Sequence, residues 1–235
     1  MLELSNAGYA ISPTRVTEAA EFGVPQYRKR MLIVGSKLSD TVSLPEPTHG
    51  GGTLVDPYNC VVQALVDFPR GLPNHLTRNH SPKSVARYRS LSFGQREHLG
   101  RVDRLDPLAP SKTVIAGGSN GGGRSHLHPF IARTITVREC ARLQTFRDDY
   151  VFEGTMARQF TQVGNAVPPM LAEIFGRHIL QQEFRIPNPS PLIHGAALKH
   201  SASLDVLTRR MIKQSRSENP DWIYFTHDNQ KCQDA

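Results

Sequence analysis

The sequence predicts an α/β fold in which a small, loop-rich domain interrupts a larger one. Strand-like segments lie in the first 40 residues, helix-like segments lie between residues 136 and 184, and the stretch between them has few long periodic patterns. The 235 residues, of which 38% are hydrophobic, are enough to bury a core of this kind. We divide the chain into four segments: 1–44, 45–130, 131–185, and a linker and tail at 186–235.

The first segment contains two candidate strands. Tyr9 to Thr17 forms one, a turn at Gly23-Val-Pro25 follows, and the apolar run Met31-Leu-Ile-Val34 predicts a buried second strand. Two neighbouring strands are only marginally stable alone. We therefore expect further strands from elsewhere, which is a first indication of a partner.

The middle segment predicts a loop-rich domain. A Pro/Gly stretch at 45–52 leads to an apolar run at 60–66 and ends in the glycine-rich stretch 116–125. That last stretch lacks the lysine and Ser/Thr of a phosphate-binding P-loop, so we reject a nucleotide loop. Its glycines indicate a hinge or a close approach of the backbone to a ligand.

Two helices are predicted after the middle segment. The first begins at Thr136, because Thr136-Val-Arg-Glu139 has the spacing of a capping box. The second begins near Pro168 and continues toward Leu180, with Gly164-Asn165 just before it. Beyond the proline-rich linker, the polar tail is expected to be partly disordered. The inward stripe of the first helix consists of Val137, Cys140, Leu143 and Phe146.

The charge of the chain favours a polyanionic partner. A net charge of +7 and a pI near 9.6 suit binding to phosphate backbones, although a merely basic, soluble protein would have the same composition. The clustering of the arginines, several of which lie between residues 78 and 142, decides for the polyanion.

The cysteines and the hydropathy exclude other classes. Cys60, Cys140 and Cys232 are three in number and far apart, which fits neither a disulfide scaffold nor a zinc site, so no metal is predicted. No apolar run approaches the roughly 20 residues that cross a bilayer, and the start of the chain does not resemble a signal peptide. These features predict a protein of the reducing cytoplasm that does not enter a membrane.

Three blocks carry a resemblance to a known family. The segments GVPQYRKRMLIVG from Gly23, RTITVRECARLQTF from Arg133 and QVGNAVPP from Gln162 resemble the last three ordered motifs of DNA (cytosine-5) methyltransferases. In that family a variable target-recognition region separates the first two. The resemblance covers residues 5–183, and three blocks in the correct order are hard to obtain by accident. It implies the C-terminal portion of a doubly wound, Rossmann-like methyltransferase domain, with double-stranded DNA as partner and S-adenosylmethionine as cofactor.

The resemblance also assigns roles to the first and third blocks. It implies that Arg30 holds an extruded cytosine by its ring oxygen, while Gln26 and Arg28 steady the neighbouring DNA backbone. A solvated, charged strand end is the simpler alternative for these three. In the third block the residues expected against S-adenosylmethionine are Gly164, Asn165, Ala166 and Val167, with Gly164 allowing the close approach.

The second block is expected to support the recognition region through an ion-pair lattice rather than to act in catalysis. Its supporting residues are Thr136, Arg138, Glu139 and Arg142. The middle segment is expected to bind DNA, and most contacts of a single arginine there would be to phosphate. Its candidate DNA-recognition residues are Arg78, Asn79, His80, Lys83, Arg87, Arg104 and Arg124.

The family's nucleophile is missing from the sequence. It is a cysteine in a Pro-Cys turn, and none of the three cysteines here follows a proline. The glycine-rich strand end that grips the cofactor and the acidic residue that grips the cytosine are also missing. No catalytic residue is therefore assigned, the chain is expected to be inactive alone, and a separate N-terminal subunit is expected to carry the Pro-Cys nucleophile.

Other hypotheses remain open at this stage. The chain could be a non-catalytic DNA-binding or regulatory fragment, or an inactive truncated remnant. An RNA substrate is disfavoured by the size of the recognition region. In a prokaryotic cell we expect association with the nucleoid when DNA is bound, in either restriction-modification or regulation.

Overall fold

A computed structural model describes residues 2–69, 71–99, 102–116, 126–186, 198 and 202–218. It confirms the mixed α/β content. The glycine-rich stretch with Arg124, most of the proline-rich linker, and the end of the tail with Cys232 lie outside the described residues. Within the described part, no helix is both long and apolar enough to cross a membrane.

The first segment folds into a short helix and two small antiparallel strand pairs. Helix α1 spans Leu2–Asn6, and β1 (Ala10–Ile11) pairs with β4 (Gly35–Ser36). The hairpin consists of β2 (Arg15–Glu18) and β3 (Lys29–Leu32). The strand expected from Tyr9 to Thr17 is therefore two strands, separated at Ser12-Pro13-Thr14, because proline has no N–H to donate to a ladder.

Only one face of this hairpin is covered. A 3₁₀ helix at Ala19–Phe22 and helix α6 (Pro169–Phe184) pack on it through Phe22, Val24 and Leu171. The opposite face carries Met31, which is 64% exposed. The prediction of a buried strand at residues 31–34 is thus wrong for the described chain, because nothing in its described parts covers that face.

The recognition region, residues 45–130, contains a small core of its own. Helix α3 (Pro82–Arg89) begins after Ser81, whose side chain accepts a hydrogen bond from the Ser84 amide. A three-stranded sheet lies beside it, with β5 (Arg96–Glu97) antiparallel and β7 (His126–Leu127) parallel to the central β6 (Val102–Arg104). The buried residues of this core are Tyr88, Leu91, Val102, Leu127 and Ala132.

The largest core joins four helices. They are α2 (Val61–Leu65), α4 (Val137–Leu143), α5 (Met156–Asn165) and α7 (Leu204–Glu218). Helix α2, which our boundaries assign to the 45–130 domain, therefore shares its core with the closing helices. The apolar run at 60–66 is buried because it packs against α4 on one side and α7 on the other.

The two predicted helix starts are confirmed. Thr136 Oγ1 accepts a bond from the Glu139 amide at 3.1 Å, and a Glu139 carboxylate oxygen accepts one from the Thr136 amide at 2.6 Å. This reciprocal pair is the capping box that the spacing predicts. The second helix, α6, begins at Pro169 and continues to Phe184.

Two helices were not predicted from the sequence. Helix α5 contains Gly164-Asn165, so these residues end a helix instead of lying in a loop before one. The expectation of a partly disordered tail is wrong for α7, because Leu207 and Met211 are buried in the main core. An ion pair between Arg210 and Asp67 also fastens α7 to the segment after α2.

Two buried histidines predict a loss of stability in acid. Burial lowers the pKa of His126 to about 4 and that of His128 to about 3. In the unfolded chain both titrate near 6.5. As the pH falls below that value, the unfolded state takes up protons that the folded state excludes, and folding weakens until the lower pKa values are reached. From pH 7.5 to 5 we expect a loss of about 2 kcal/mol per ring in the free energy of unfolding, measured by urea denaturation.

A matched pair of variants checks the cause. His128→Gln keeps an acceptor for the Phe130 amide but cannot titrate, so it should lose less stability between the two pH values. His98→Gln, at an exposed position, should behave as the wild type. Equal pH profiles for all three proteins would contradict the assignment.

Candidate functional site

The guanidinium of Arg28 lies at the junction of three segments. It is 1% exposed, and it donates to the carbonyl oxygens of Val114 (3.1 Å), Gly164 (2.7 Å) and Ala166 (3.0 Å). Burial, together with the nearby charge of Arg30, lowers the pKa of Arg28 to about 10, which still leaves it charged at neutral pH. Arg28 therefore holds the entrance of β3, the last strand-like stretch of the recognition region and the 164–167 turn together.

Gln26 makes a parallel connection. Its side-chain oxygen accepts a bond from the Val114 amide at 2.8 Å, and its amide nitrogen donates to the Leu143 carbonyl at 3.5 Å. The backbone of Val114 is thus held on its N–H by Gln26 and on its carbonyl by Arg28. Both side chains expected to steady DNA are buried and bonded to this chain's own backbone, a placement in which they position other segments.

Arg30 differs from its two neighbours in the block. It lies within β3, is exposed, and its guanidinium donates to the adjacent Lys29 carbonyl at 2.7 Å. The expected shared face for Gln26, Arg28 and Arg30 is therefore divided, because the regular strand begins only at Lys29. Of the three, Arg30 alone presents its side chain to solvent in this structure.

Gly164 accommodates another part of the same chain. A Cβ added there would lie 2.7 Å from the carbonyl carbon of Ile115 and closer still to the backbone of Ala116. The close approach expected of a cofactor is thus made by residues 115–116. Asn165 and Val167 on the same turn point outward, and Val167 is 55% exposed.

The end of α4 fixes the same turn from another side. Gln144 donates to the carbonyl of Val163, the residue before Gly164. Thr145 has a left-handed backbone (φ 66°), which is unfavourable for a β-branched residue, and its hydroxyl accepts the Met170 amide at 3.0 Å. This bond satisfies an amide in the first turn of α6, so α4 and α6 both hold the turn between α5 and α6.

The charged residues of the second block are interior residues. Arg133 and Glu139 form a doubly hydrogen-bonded ion pair at 2.7 and 2.8 Å, and burial notwithstanding, Arg133 holds the pKa of Glu139 well below its usual range. Arg142 pairs with Asp148 at 2.6 Å and donates to backbone carbonyls of α2 and the residue after it. Arg138 donates to backbone carbonyls at Pro73 and Arg147. These groups lie where an ion-pair lattice supporting the recognition region would be needed.

The candidate DNA-recognition residues separate into two groups. Arg104 is completely buried and donates to the carbonyls of His128 and Pro129, so its charge serves the interior of the recognition region and not a DNA surface. Lys83 is exposed on α3. The others described line one cavity of about 310 Å³ and are Arg78, Asn79, His80 and Arg87.

Neither described thiol is suited to nucleophilic attack. Burial, and then the charge of Asp106, raises the pKa of Cys60 to about 11, and its sulfur donates to the Leu108 carbonyl at 3.1 Å. Burial raises the pKa of Cys140 still further. Because the thiolate is the reactive form, both cysteines are inert at neutral pH.

Comparison with known proteins gives three findings. The sequence pattern of the family "C-5 cytosine-specific DNA methylase" matches residues 1–181. The type II methyltransferase M.BbvI of Brevibacillus brevis is 35% identical over 202 residues, which are 78% of this chain and 52% of that protein. The type II methyltransferase M.AquIB of Picosynechococcus is 38% identical over 128 residues, which are 47% of this chain and 89% of that protein.

A solved structure supports the fold. A DNA modification methyltransferase encoded within an E. coli prophage superposes with a TM-score of 0.61 at 24% identity, over 80% of this chain and 64% of that one. The chain spans about half the length of M.BbvI and of several other relatives it matches. Since the family pattern extends over more than three quarters of the sequence, the chain belongs to the C-5 cytosine-specific DNA methylase family.

Proposed function

We propose that this chain is the C-terminal subunit of a cytosine-5 DNA methyltransferase: it grips DNA and completes the methyl-donor pocket, while another polypeptide supplies the reactive thiol. One observation carries the proposal. The blocks that resemble the family's last motifs are folded against one another, yet both described thiols are buried and protonated. A thiolate that adds to the cytosine ring must therefore come from elsewhere.

The relatives are consistent with a division of this kind. M.BbvI is about twice as long as the region it shares with this chain. M.AquIB, in contrast, is matched over 89% of its length, so a methyltransferase chain of this family can consist of little more than the shared region. Such a chain would need a second one to complete the domain.

The exposed face of the β2–β3 hairpin offers a docking surface for that second chain. Val16 and Met31 are cross-strand neighbours on this face and are 63% and 64% exposed. A doubly wound sheet is covered on both faces, whereas α6 covers only one face here. We assign the open face to the N-terminal half of the domain, whose length corresponds to the unmatched half of M.BbvI.

Arg30 is the residue that we propose holds the target cytosine. An enzyme that modifies a ring carbon must extrude the base and read its edge with fixed donors. Arg30 stands on a strand, exposed to solvent, next to the docking surface, and its guanidinium can donate to a ring oxygen. Arg28 beneath it would set the position of the strand.

The 164–167 turn fits the edge of a methyl-donor pocket. Asn165 offers an amide and Val167 an apolar side chain, both outward on a turn that Arg28 holds by two carbonyls. S-adenosylmethionine would supply the methyl group. We propose that Asn165, Ala166 and Val167 form part of its pocket and that the second chain forms the rest.

A non-catalytic DNA-binding role is the second candidate. It is favoured by the recognition region having a core of its own and a cavity lined by basic residues, neither of which needs another chain. This role requires DNA affinity without S-adenosylmethionine or a partner, and no methyl transfer under any condition.

Reconstitution tests the leading proposal. This chain would be mixed with a candidate N-terminal chain containing the Pro-Cys turn, labelled S-adenosylmethionine and duplex DNA. We expect label on cytosine only in the complete mixture. A stable complex that transfers no methyl group would contradict the proposal. Met31→Glu should abolish complex formation because it places a charge in the docking surface, whereas Leu54→Glu, at a similarly exposed apolar residue outside it, should not.

Arg28 and Arg30 should respond differently to substitution. Arg30→Ala should leave the melting temperature unchanged and lower kcat/KM of the reconstituted enzyme roughly 10- to 100-fold, since one charged hydrogen bond is lost. Arg28→Lys should lower the free energy of unfolding by about 2–3 kcal/mol, because three buried carbonyls lose a shared donor. Equal effects on stability would show that the two residues are not divided in this way.

Gly164 provides a third test. Gly164→Ala should cost about 1–3 kcal/mol of stability, measured by denaturant unfolding, because its Cβ has to displace the backbone at residues 115–116. Gly176→Ala is the matched control: it lies in the middle of α6 with open space around it and should be neutral or stabilising. A harmless Gly164→Ala would mean that residues 115–116 do not pack there.

A further inference from the structure

A cavity of about 310 Å³ opens between α3 and the small sheet of the recognition region. Its wall is formed by side chains of the loop before α3, one face of α3 and the strand that leads toward α4. The polar groups of the wall are mostly hydrogen-bond donors or hydroxyls. Those used below are Arg78, Asn79, His80, Ser84, Arg87 and Thr134.

Arg78 is held in a defined orientation. Its guanidinium lies 4.7 Å from the centre of the Phe160 ring, which is buried in α5. Stacking of this kind fixes a flat cation without neutralising its charge. Phe160 lies four residues before Gly164, so the cavity is connected through α5 to the 164–167 turn.

The other polar groups are also fixed by the protein. The His80 ring accepts the Thr134 amide at 3.2 Å and lies edge-on to Tyr88. Arg87 bonds to Glu97 at 3.1 Å and to the Ser84 hydroxyl at 3.3 Å, so its charge is partly balanced. The start of α3 adds the positive end of a helix dipole near Ser81 and Ser84. A cavity with such a wall is electropositive, and Arg78 is its main source of charge.

We propose that this cavity binds a backbone phosphate of DNA and that Arg78 is an anchor independent of base sequence. A phosphate offers only acceptors, which suits a wall rich in donors, whereas a base edge in the major groove offers donors as well as acceptors. The inference rests on the proposed function only in taking DNA as the ligand. It requires neither methyl transfer nor the second chain.

Salt-dependent DNA binding tests this anchor in the chain alone. The affinity would be measured by fluorescence anisotropy for a panel of duplexes of different sequence, from low to moderate salt. Arg78→Ala should reduce the slope of log affinity against log salt by about 0.9, the value for one phosphate contact, and should weaken all duplexes equally. Arg78→Lys should restore most of the slope because it restores the charge.

Two further variants separate the anchor from other effects. Arg78→Gln keeps a flat polar group over Phe160 without charge, so it should reproduce the loss of slope even if Arg78→Ala does not fold. Arg89→Ala removes an equal charge from the same helix outside the cavity wall and should leave the slope nearly unchanged.

Several results would overturn the inference. They are an unchanged slope in Arg78→Gln, a loss confined to particular sequences, an equal loss in Arg89→Ala, or an unaffected duplex slope with competition by inorganic phosphate at matched ionic strength, which would indicate a site for free phosphate. Absence of DNA binding by the wild-type chain even at low salt would instead contradict the DNA-gripping part of the proposed function.

Discussion

The guanidinium of Arg28 donates to three carbonyl oxygens that lie 86, 136 and 138 residues further along the chain. Because these acceptors belong to the exit of the recognition region and to both ends of the turn between α5 and α6, one side chain fixes two segments relative to the β2–β3 hairpin. Arginine suits this position, since a planar cation with five donors can satisfy several carbonyls at once. A buried charge with this many fixed acceptors is costly to move, so the three blocks meet in one arrangement.

The same use of arginine recurs elsewhere in the molecule. Arg104 and Arg138 also donate to backbone carbonyls from buried positions, and Arg142 combines such bonds with an ion pair to Asp148. Much of the positive charge in the sequence is therefore spent inside the fold. The electropositive surface available to a polyanion is smaller than the net charge suggests, and it is concentrated at Arg30 and around the cavity beside α3.

The sequence predicted the local features and missed those that depend on distant partners. The capping box at Thr136 and the start of α6 follow from a few neighbouring residues, and both are present. Helix α5 was missed because Gly164 indicated a loop, whereas the glycine is needed where residues 115–116 cross the helix. The burial of Arg28 and Gln26 could not be predicted, because their acceptors come from other segments. Helix α7 does have a signal, the apolar spacing of Leu204, Leu207 and Met211.

The division of labour between two chains is tested most directly by locating the thiol that attacks DNA. A duplex whose target cytosine carries fluorine in place of the ring hydrogen at position 5 would trap the covalent adduct, since fluorine cannot leave as a proton. Mass spectrometry of the trapped mixture of this chain, its N-terminal partner and S-adenosylmethionine then identifies the attached peptide. We expect the DNA on the partner's Pro-Cys peptide and none on Cys60, Cys140 or Cys232. An adduct on any of these three cysteines would contradict the proposed division.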